Sequence, residues 1–474
     1  MNAPARITVP GDHVLIVGGG FSGTLLAINL LRHDGPRATL VERRGTQVAR
    51  GVAYSAAHPD HLLNVRAGNM SALPDEPDHF VRWLEARGLE AQGLEAQGHG
   101  GRTSFASRTT YGSYLRALLD DARARAPGRL RIVEGEAAGL VAAGDGVTLT
   151  LAGGETGGET VWGDTAVLAV GNLPPHDPPG LGAASLSPDN YSPDPWAADI
   201  GRGLGDDDTV VLVGTGLTAI DAALLLDAGG FRGRILALSR RGLVPHRHLD
   251  GQPPCVGVLE RPSGAVSGIV RHVRARAREA GWRDAVDELR PMTQIMWAAA
   301  SRAERARFLR HARPYWDVHR HRLAPAVADR IDALVHGGRL RFAGGKPIGT
   351  EANGAGVTLR WRPRGSDAVE VTRAARIVNC TGPQGDLLRS REPLLRSLLE
   401  AGTIRPDPLR LGLEVDASSR VVGRDGIASD RLHAIGPMTR GGLWEVVAVP
   451  DIRRQAWSLA RRLSNAQWVG GEGL

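Results

Sequence analysis

The chain has 474 residues, which is enough for two or three domains with large buried cores. Its 42% hydrophobic and 23% charged residues are ordinary for a globular protein. The formal net charge of +7 comes from scattered arginines, with Lys346 the only lysine, which argues against a polybasic nucleic-acid-binding arm.

The first residues, MNAPARITVPGDH, lack the apolar core of a signal peptide. No apolar stretch reaches the roughly 18 residues of a membrane-spanning helix. We therefore expect a cytoplasmic protein that does not cross a membrane. Cys255 and Cys380 lie too far apart for a C-x-x-C motif, which argues against a disulfide framework, a metal site and a redox-active dithiol.

A glycine fingerprint lies within the apolar run from Val14 to Leu31, between a predicted strand and a predicted helix. Its first glycine permits a tight turn, the second lets the backbone approach a pyrophosphate, and the third lets the helix pack on the strand. The helix N-terminus then faces the anion. The predicted cofactor-binding residues of this turn are Gly18, Gly20, Phe21, Ser22 and Gly23.

An acid, Glu42, ends the next predicted strand about 20 residues after the third glycine and is followed by Arg43. A carboxylate at this position accepts hydrogen bonds from both hydroxyls of an unphosphorylated adenosine ribose. We therefore predict that this site binds a dinucleotide without a 2′-phosphate. The alternative is a glycine-rich turn in an ordinary α/β domain.

A second copy of the unit spans Thr209 to Leu226, with Ala219 at the third glycine position, an accepted variant. Ser239 stands where the first copy has Glu42, and two arginines follow it. Without the acid, these arginines can pair with a 2′-phosphate, so this site is predicted to prefer NADPH over NADH. The alternative is that the arginines only cap the strand. The predicted residues are Gly214, Thr215, Gly216, Leu217, Thr218, Ser239, Arg240 and Arg241.

Two further apolar strands, near 164–175 and 375–383, and a final strand, glycine loop and helix do not fit two consecutive domains. We predict an α/β fold with two Rossmann-like dinucleotide-binding domains, the NADPH domain being inserted in a discontinuous first domain. Arginine- and alanine-rich helical periodicity at about 265–337 predicts a helical insert. The predicted boundaries are 1–175, 176–375 and 376–474.

This layout resembles the bacterial FAD/NAD(P)-binding proteins with two dinucleotide-binding domains, which are related to the class B flavin monooxygenases, and most of all the ornithine and lysine N-hydroxylases. The resemblance implies that the discontinuous domain binds FAD. It also implies NADPH-dependent oxygenation of a small substrate, such as an amino acid or amine, by dioxygen through a flavin C4a-hydroperoxide. An NADPH oxidase or flavin reductase and a non-enzymatic redox sensor are the alternatives.

The segment His61 to Leu84 carries the likeness to N-hydroxylases through a Pro-x-x-Pro and aromatic pattern at Pro74, Pro77, Phe80, Trp83 and Leu84. The match implies that His61, Asn64, Arg66 and Met70 lie near the flavin, with the first three as catalytic candidates and Arg66 also a substrate candidate. Near the C-terminus, Gly436 and Trp444 are predicted to contact the flavin.

The sequence departs from two groups of relatives. The segment around Trp196 lacks the histidine of the Baeyer–Villiger fingerprint, so that chemistry is not expected. No C-x-x-C motif is present, which excludes the disulfide reductases. Histidines and aromatics near two arginine-rich segments suit an anionic substrate, and the predicted substrate residues are His246, His248, Tyr315, Trp316 and His319.

Overall fold

The computed structural model describes residues 12–32, 35–55, 58, 61–89, 101–153, 158–196, 199–250, 262, 264–354 and 356–464. Two predominantly parallel sheets dominate it, and each begins with a strand, a glycine turn and a helix. The chain runs from the first sheet into the second and then back to the first. This architecture confirms the predicted α/β fold with one Rossmann-like domain inserted in another.

The first domain begins with a parallel core that receives its last strands from the other end of the chain. The elements of its N-terminal part are β1 (His13–Val17), α1 (Phe21–Arg32), β2 (Arg37–Glu42), α2 (Gly51–Ser55), α3 (His79–Glu85), α4 (Arg108–Arg125), β3 (Leu130–Glu134), β4 (Ala137–Ala143), β5 (Gly146–Leu151), β6 (Thr160–Gly163) and β7 (Thr165–Leu168). Strands β4, β5 and β6 form a separate antiparallel sheet.

The second domain has its own sheet and carries the helical insert. Its elements are β8 (Tyr191–Ser192), β9 (Thr209–Val213), α5 (Leu217–Ala228), β10 (Arg234–Ser239), α6 (Val266–Ala280), α7 (Trp282–Asp287), α8 (Thr293–Ala299), α9 (Arg302–Arg307), α10 (Arg313–Arg320), α11 (Pro325–His336), β11 (Leu340–Asn353), β12 (Gly356–Pro363), β13 (Glu370–Ala374) and β14 (Arg376–Asn379). The strand order is β13-β12-β11-β10-β9-β14-β8.

The strand β14 corrects one predicted boundary. The sequence places residues 376–474 in the returning part of the first domain, but β14 pairs in parallel with β9 and β8 of the second sheet. Its four residues are all buried, so it forms part of that sheet's core. The return to the first domain therefore begins after Asn379.

The returning segment completes the first sheet and covers its first helix. Its elements are α12 (Pro393–Ala401), β15 (Arg420–Val422), β16 (Ala428–Ala434) and α13 (Val449–Leu463), and the completed strand order is β15-β16-β7-β1-β2-β3. Strand β16 pairs in parallel with β7. Helix α13 packs on α1, and Ala456, Leu459 and Ala460 share a buried core with the leucines of that helix. Apolar burial of this kind stabilises the joining of the two chain ends, at roughly 25 cal/mol per Å² removed from water.

Candidate functional site

The first glycine turn, between β1 and α1, has the backbone that the fingerprint requires. Gly18 has φ +106°, and a Cβ there would overlap the carbonyl oxygen of Ala169. A Cβ on Gly23 would overlap the carbonyl oxygen of Gly18. Both positions therefore admit only glycine, and the turn brings the N-terminus of α1 up to the end of the sheet.

A loop before α2 lies against this turn. The amide of Ala49 donates to the carbonyl oxygen of Gly19 at 2.9 Å, and Ala49 itself has φ +72°. A Cβ on Gly20 would lie 3.4 Å from the Cα of Gly51. The buried Nε of Arg50 has no hydrogen-bond partner among the described residues. The backbone on both sides of Arg50 thus lies against the anion-binding turn, and the side chain of Arg50 leaves it toward Gly112 of α4.

Glu42, at the end of β2, is held in place by two backbone amides. Its Oε2 accepts from the amide of Gly19 at 2.8 Å and its Oε1 from the amide of Arg44 at 3.2 Å. A carboxylate has about four acceptor sites, so Glu42 can still accept from ribose hydroxyls. Arg43 points elsewhere and forms an exposed ion pair with Glu392 at 3.2 Å.

The C-terminal segment closes on the start of α1. Gly436 has φ +83°, and a Cβ there would contact Ser22. The amide of Gly436 donates to Oε1 of Gln455 at 2.8 Å, which ties the glycine to α13. Phe21, beside Ser22, packs edge-on against Tyr54 at 5.9 Å between ring centroids. The glycine turn, the fixed acid and this closing segment together fit FAD.

The second glycine turn, between β9 and α5, resembles the first at its first two glycines. Gly214 has φ +134°, and a Cβ there would overlap the carbonyl oxygen of Cys380. A Cβ on Gly216 would have no atom within 4 Å, so the backbone is open to a ligand. Gly216 is also the N-cap of α5, which begins with Leu217 and Thr218. This turn presents an anion-binding helix terminus.

Ser239 occupies the position that corresponds to Glu42. Its hydroxyl hydrogen-bonds Thr215 Oγ1 at 2.8 Å and accepts from the amide of Gly242 at 3.0 Å. Arg240 is exposed, and Arg241 lies against the helical insert, where its Nη2 is 3.4 Å from the carbonyl oxygen of Arg310. The end of β10 therefore offers a hydroxyl where the end of β2 offers a carboxylate, while two arginines follow at both strand ends.

Residues 15–173 match the family model described as FAD-NAD(P)-binding. The match covers the first glycine turn, Glu42 and the strands up to β7. It confirms that this part of the chain is a dinucleotide-binding domain. No curated protein sequence matches the chain.

Solved structures share the fold over nearly the whole chain. The ornithine hydroxylase PvdA of Pseudomonas aeruginosa has a TM-score of 0.65 at 16% identity, covering 96% of this chain and 99% of that chain. The L-lysine 6-monooxygenase of Pseudomonas syringae gives 0.64, with the same identity and coverage. The ornithine N-hydroxylase KtzI of Kutzneria sp. 744 gives 0.63, again at 16% identity, covering 96% and 99%. At this identity the likeness establishes the common two-domain fold.

The predicted catalytic residues lie at the interface between the two domains. His61 is fully buried, and its Nε2 donates to the carbonyl oxygen of Asp221 on α5 at 3.1 Å. Burial lowers the pKa of His61. Arg66 donates to the carbonyl oxygens of Thr103 at 2.6 Å and of Leu249 at 2.5 Å. These contacts give His61 and Arg66 a role in orienting the domains, and a catalytic role for them stays a prediction.

His248, predicted to bind substrate, contributes to the same interface. Its Nε2 donates to the backbone carbonyl of Asn64 at 3.1 Å, and burial lowers its pKa to about 4, so the ring is neutral at physiological pH. Arg108 of α4 pairs with Asp221 at 2.7 Å across the same boundary. Leu62 and Phe105 of the first domain lie in the second domain's hydrophobic core. The interface is thus both apolar and hydrogen-bonded.

We expect an Asp221→Asn variant to be less stable by about 1–3 kcal/mol, because it leaves the guanidinium of Arg108 without its ionised partner at a partly buried interface. Urea unfolding would measure the loss. Glu159→Gln, which removes the exposed Arg131–Glu159 pair, is the control and should change stability by less than about 0.5 kcal/mol. Equal losses of stability in the two variants would show that the interdomain pair stabilises the protein no more than an exposed surface pair does.

The other predicted substrate residues divide among three places. His246 and His319 meet with ring centroids 4.6 Å apart, and Trp282 packs on both rings. Trp316 Nε1 donates to Oε1 of Glu445 at 3.3 Å. Tyr315 is exposed, and the Cζ atom of Arg241 lies 5.9 Å from the centroid of the tyrosine ring. These residues therefore have different nearest neighbours, and a shared role in binding substrate stays a prediction.

Met70 and Trp444, both predicted to contact the flavin, are almost fully buried. Met70 lies in the core of the first domain. Trp444 stacks on Trp297 of α8 at 4.7 Å and meets Phe308 edge-on at 5.2 Å. The contacts of Trp444 thus join the C-terminal segment to the helical insert, and flavin contact by either residue stays a prediction.

Among the described residues, no helix combines the length and apolar character needed to span a membrane. The described part of the chain also has no group of three or more histidine, cysteine, aspartate or glutamate side chains that could hold a metal ion.

Proposed function

We propose that the chain is a FAD-dependent, NADPH-consuming monooxygenase that oxygenates a small molecule, such as an amino acid or amine, with dioxygen. The observation that supports this proposal most is the difference between the two dinucleotide sites. The first glycine turn with Glu42 is called the first cradle below, and the second glycine turn with Ser239 is called the second cradle. Two arginines follow the strand end in both sites, but the first site has a fixed carboxylate before them and the second has a hydroxyl. The two sites are therefore suited to different dinucleotides, as transfer of reducing equivalents from one to the other requires.

The residues of the first cradle would hold FAD. Gly18, Gly20 and the N-terminus of α1 would receive the pyrophosphate, and Glu42 would accept from the ribose. Bound FAD supplies hydride acceptance from a reduced nicotinamide and subsequent reaction with dioxygen. The protein's own task is to orient the two dinucleotides and to exclude water.

The second cradle would hold NADPH. Gly216 and the N-terminus of α5 would receive its pyrophosphate, and Arg240 and Arg241 would pair with its 2′-phosphate. The exposed ring of Tyr315 beside Arg241 offers an adjoining surface for the adenine. The interface residues His61, Arg66 and His248 would hold this cradle at a constant orientation to the first. NADPH consumption suits a cytoplasmic protein.

The PvdA, KtzI and lysine 6-monooxygenase structures favour oxygenation over simple reduction, since their TM-scores of 0.63 to 0.65 exceed the 0.55 of the bacillithiol disulfide reductase Bdr of Bacillus cereus, which matches with the same coverage. The stacked rings of Trp297 and Trp444, with Phe308 at their edge, would shield the C-terminal segment from water. Water exclusion favours transfer of oxygen to substrate over release of hydrogen peroxide.

The test is to purify the protein with FAD and measure oxidation of NADPH and NADH with amines and amino acids as substrates. We expect faster oxidation of NADPH, and a substrate whose hydroxylated product approaches the NADPH consumed. Hydrogen peroxide as the sole product with every compound would indicate an oxidase. Absence of flavin reduction by either coenzyme would favour a non-enzymatic redox sensor.

A further inference from the structure

Four arginines of the helical insert and the C-terminal segment lie close enough to one histidine of the insert to act on its charge. These residues, Arg290, Arg313, Arg320, Arg440 and His321, are called the arginine cluster below. Burial and the four positive charges lower the pKa of His321 to about 3, so the imidazole is neutral at physiological pH. The histidine therefore adds no charge to the cluster.

Three of the four arginines have carboxylate partners, so their charges are largely compensated. The partners come from α10, the C-terminal loop and the first turn of α13. Arg290 pairs with Asp451, Arg320 lies 3.8 Å from Glu445, and Arg313 lies 3.3 Å from Asp317.

Arg440 is the fourth arginine and has no such partner. Its guanidinium lies 4.1 Å from the ring centroid of Trp444, and no hydrogen bond or ion pair to it occurs within the described residues. Asp317 and Glu445 act on it only at longer range. Burial, together with Arg313, lowers its pKa to about 10, which reflects the cost of holding this charge away from water.

The position of Arg440 is fixed from both sides. Trp444, under its guanidinium, is stacked on Trp297, whose Nε1 donates to the carbonyl oxygen of Gly441 at 2.8 Å. Arg440 also lies only four residues after Gly436, and Gly436 lies against Ser22 at the first glycine turn. The unpaired guanidinium is thus held rigidly, close to the segment that closes over the FAD cradle.

We propose that Arg440 binds a carboxylate of the substrate and so selects acids over their neutral analogues. This inference rests on the proposed function, since it assigns a residue to that enzyme's substrate site. A guanidinium matches a carboxylate with two parallel hydrogen bonds. The four arginines of the cluster face three carboxylates, Asp317, Glu445 and Asp451, so one positive charge is in excess, which suits a monoanion. A phosphate dianion would leave excess negative charge beside Asp317 and Glu445.

The test uses the FAD-loaded protein without NADPH, so that binding is read independently of turnover. Monocarboxylates of two to eight carbons and their primary amides are titrated by calorimetry and by the change in flavin absorbance. We expect the acids to bind more tightly than the amides. Arg440→Met should weaken acid binding by about tenfold or more and leave the weak amide binding unchanged. Arg440→Lys should retain part of the selectivity.

Arg396→Met is the matched control, because Arg396 is 61% exposed and, within the described part of the chain, pairs only with Glu400 on the surface of α12. Acid binding equal to wild type in Arg440→Met would overturn the inference. Loss of FAD from a folded Arg440→Met protein would also overturn it, since the residue would then serve the flavin. Selective acid binding through Arg440 in a protein that never oxygenates a substrate would uphold this inference and refute the monooxygenase.

Discussion

A Gly20→Asp variant should fold and yet purify without the yellow colour of bound flavin. The new Cβ would lie 3.4 Å from the Cα of Gly51, an ordinary contact, and the carboxylate would sit near the N-terminus of α1, where a negative charge stabilises the helix. The same carboxylate would occupy the approach to the pyrophosphate and repel it. We expect FAD affinity to fall by at least about 100-fold, or about 3 kcal/mol.

The measurement is the ratio of flavin to protein absorbance after purification, followed by titration of the apoprotein with FAD. Gly216→Asp is the matched control in the second cradle, where a Cβ has no atom within 4 Å. It should keep its flavin and lose NADPH binding by a similar factor, about 100-fold. A Gly20→Asp protein with the flavin content of the wild type would contradict the assignment of the first cradle. Loss of flavin from both variants would show that the two turns do not bind separate ligands.

Local sequence determines the two glycine turns, and this is why they could be predicted. Gly18 and Gly214 adopt backbone conformations that other residues avoid, and each is followed within a few residues by a helix that packs on the preceding strand. The number of residues from each glycine turn to Glu42 or Ser239 is set by the one helix and one strand between them. All these constraints act within about 30 residues, and a pattern in the sequence records them.

The loop from Ala49 to Gly51 was missed because its position beside the first turn depends on tertiary contacts. An Arg-Gly pair is common in this arginine-rich chain, so it carries no signal by itself. Only the hydrogen bond from Ala49 to Gly19 and the close approach of Gly51 to Gly20 reveal that this loop lies at the first cradle. The same limit explains why β14 was assigned to the wrong domain, since an apolar strand does not indicate which sheet it joins.

The interface residues show a related limit. His61 and Arg66 were predicted near the flavin because their segment resembles one in the N-hydroxylases. Their side chains hydrogen-bond backbone carbonyls across or beside the domain boundary, and their placement near the flavin stays a prediction. A histidine or arginine bound to a carbonyl cannot be distinguished by sequence from one that faces a ligand. The histidines and aromatics of 246–321 likewise contact different neighbours, which their order in the sequence does not reveal.

Ser239→Glu should reverse the coenzyme preference of the second cradle, because it places a carboxylate at the end of β10, as Glu42 does at the end of β2. Glu42 is held by the amides of Gly19 and Arg44, and the second cradle offers the amide of Gly242 to Ser239 in a comparable way. A carboxylate there would repel the 2′-phosphate of NADPH and accept from the ribose hydroxyls of NADH. We expect the ratio of kcat/KM for NADPH to that for NADH to fall by at least about 100-fold.

Two further variants separate the charge from other effects of the substitution. Ser239→Ala removes the hydroxyl without adding charge, so it should weaken both coenzymes alike and keep the preference for NADPH. Arg240→Ala should raise KM for NADPH by about tenfold through loss of a charge-assisted contact, with no change for NADH.

The measurement is the initial rate of flavin reduction by each coenzyme without oxygen, which reports the hydride step alone. A wild-type preference for NADPH in Ser239→Glu would mean that the coenzyme's phosphate is recognised elsewhere. The contrast between the acid-bearing and acid-free cradles would then no longer support two different dinucleotides.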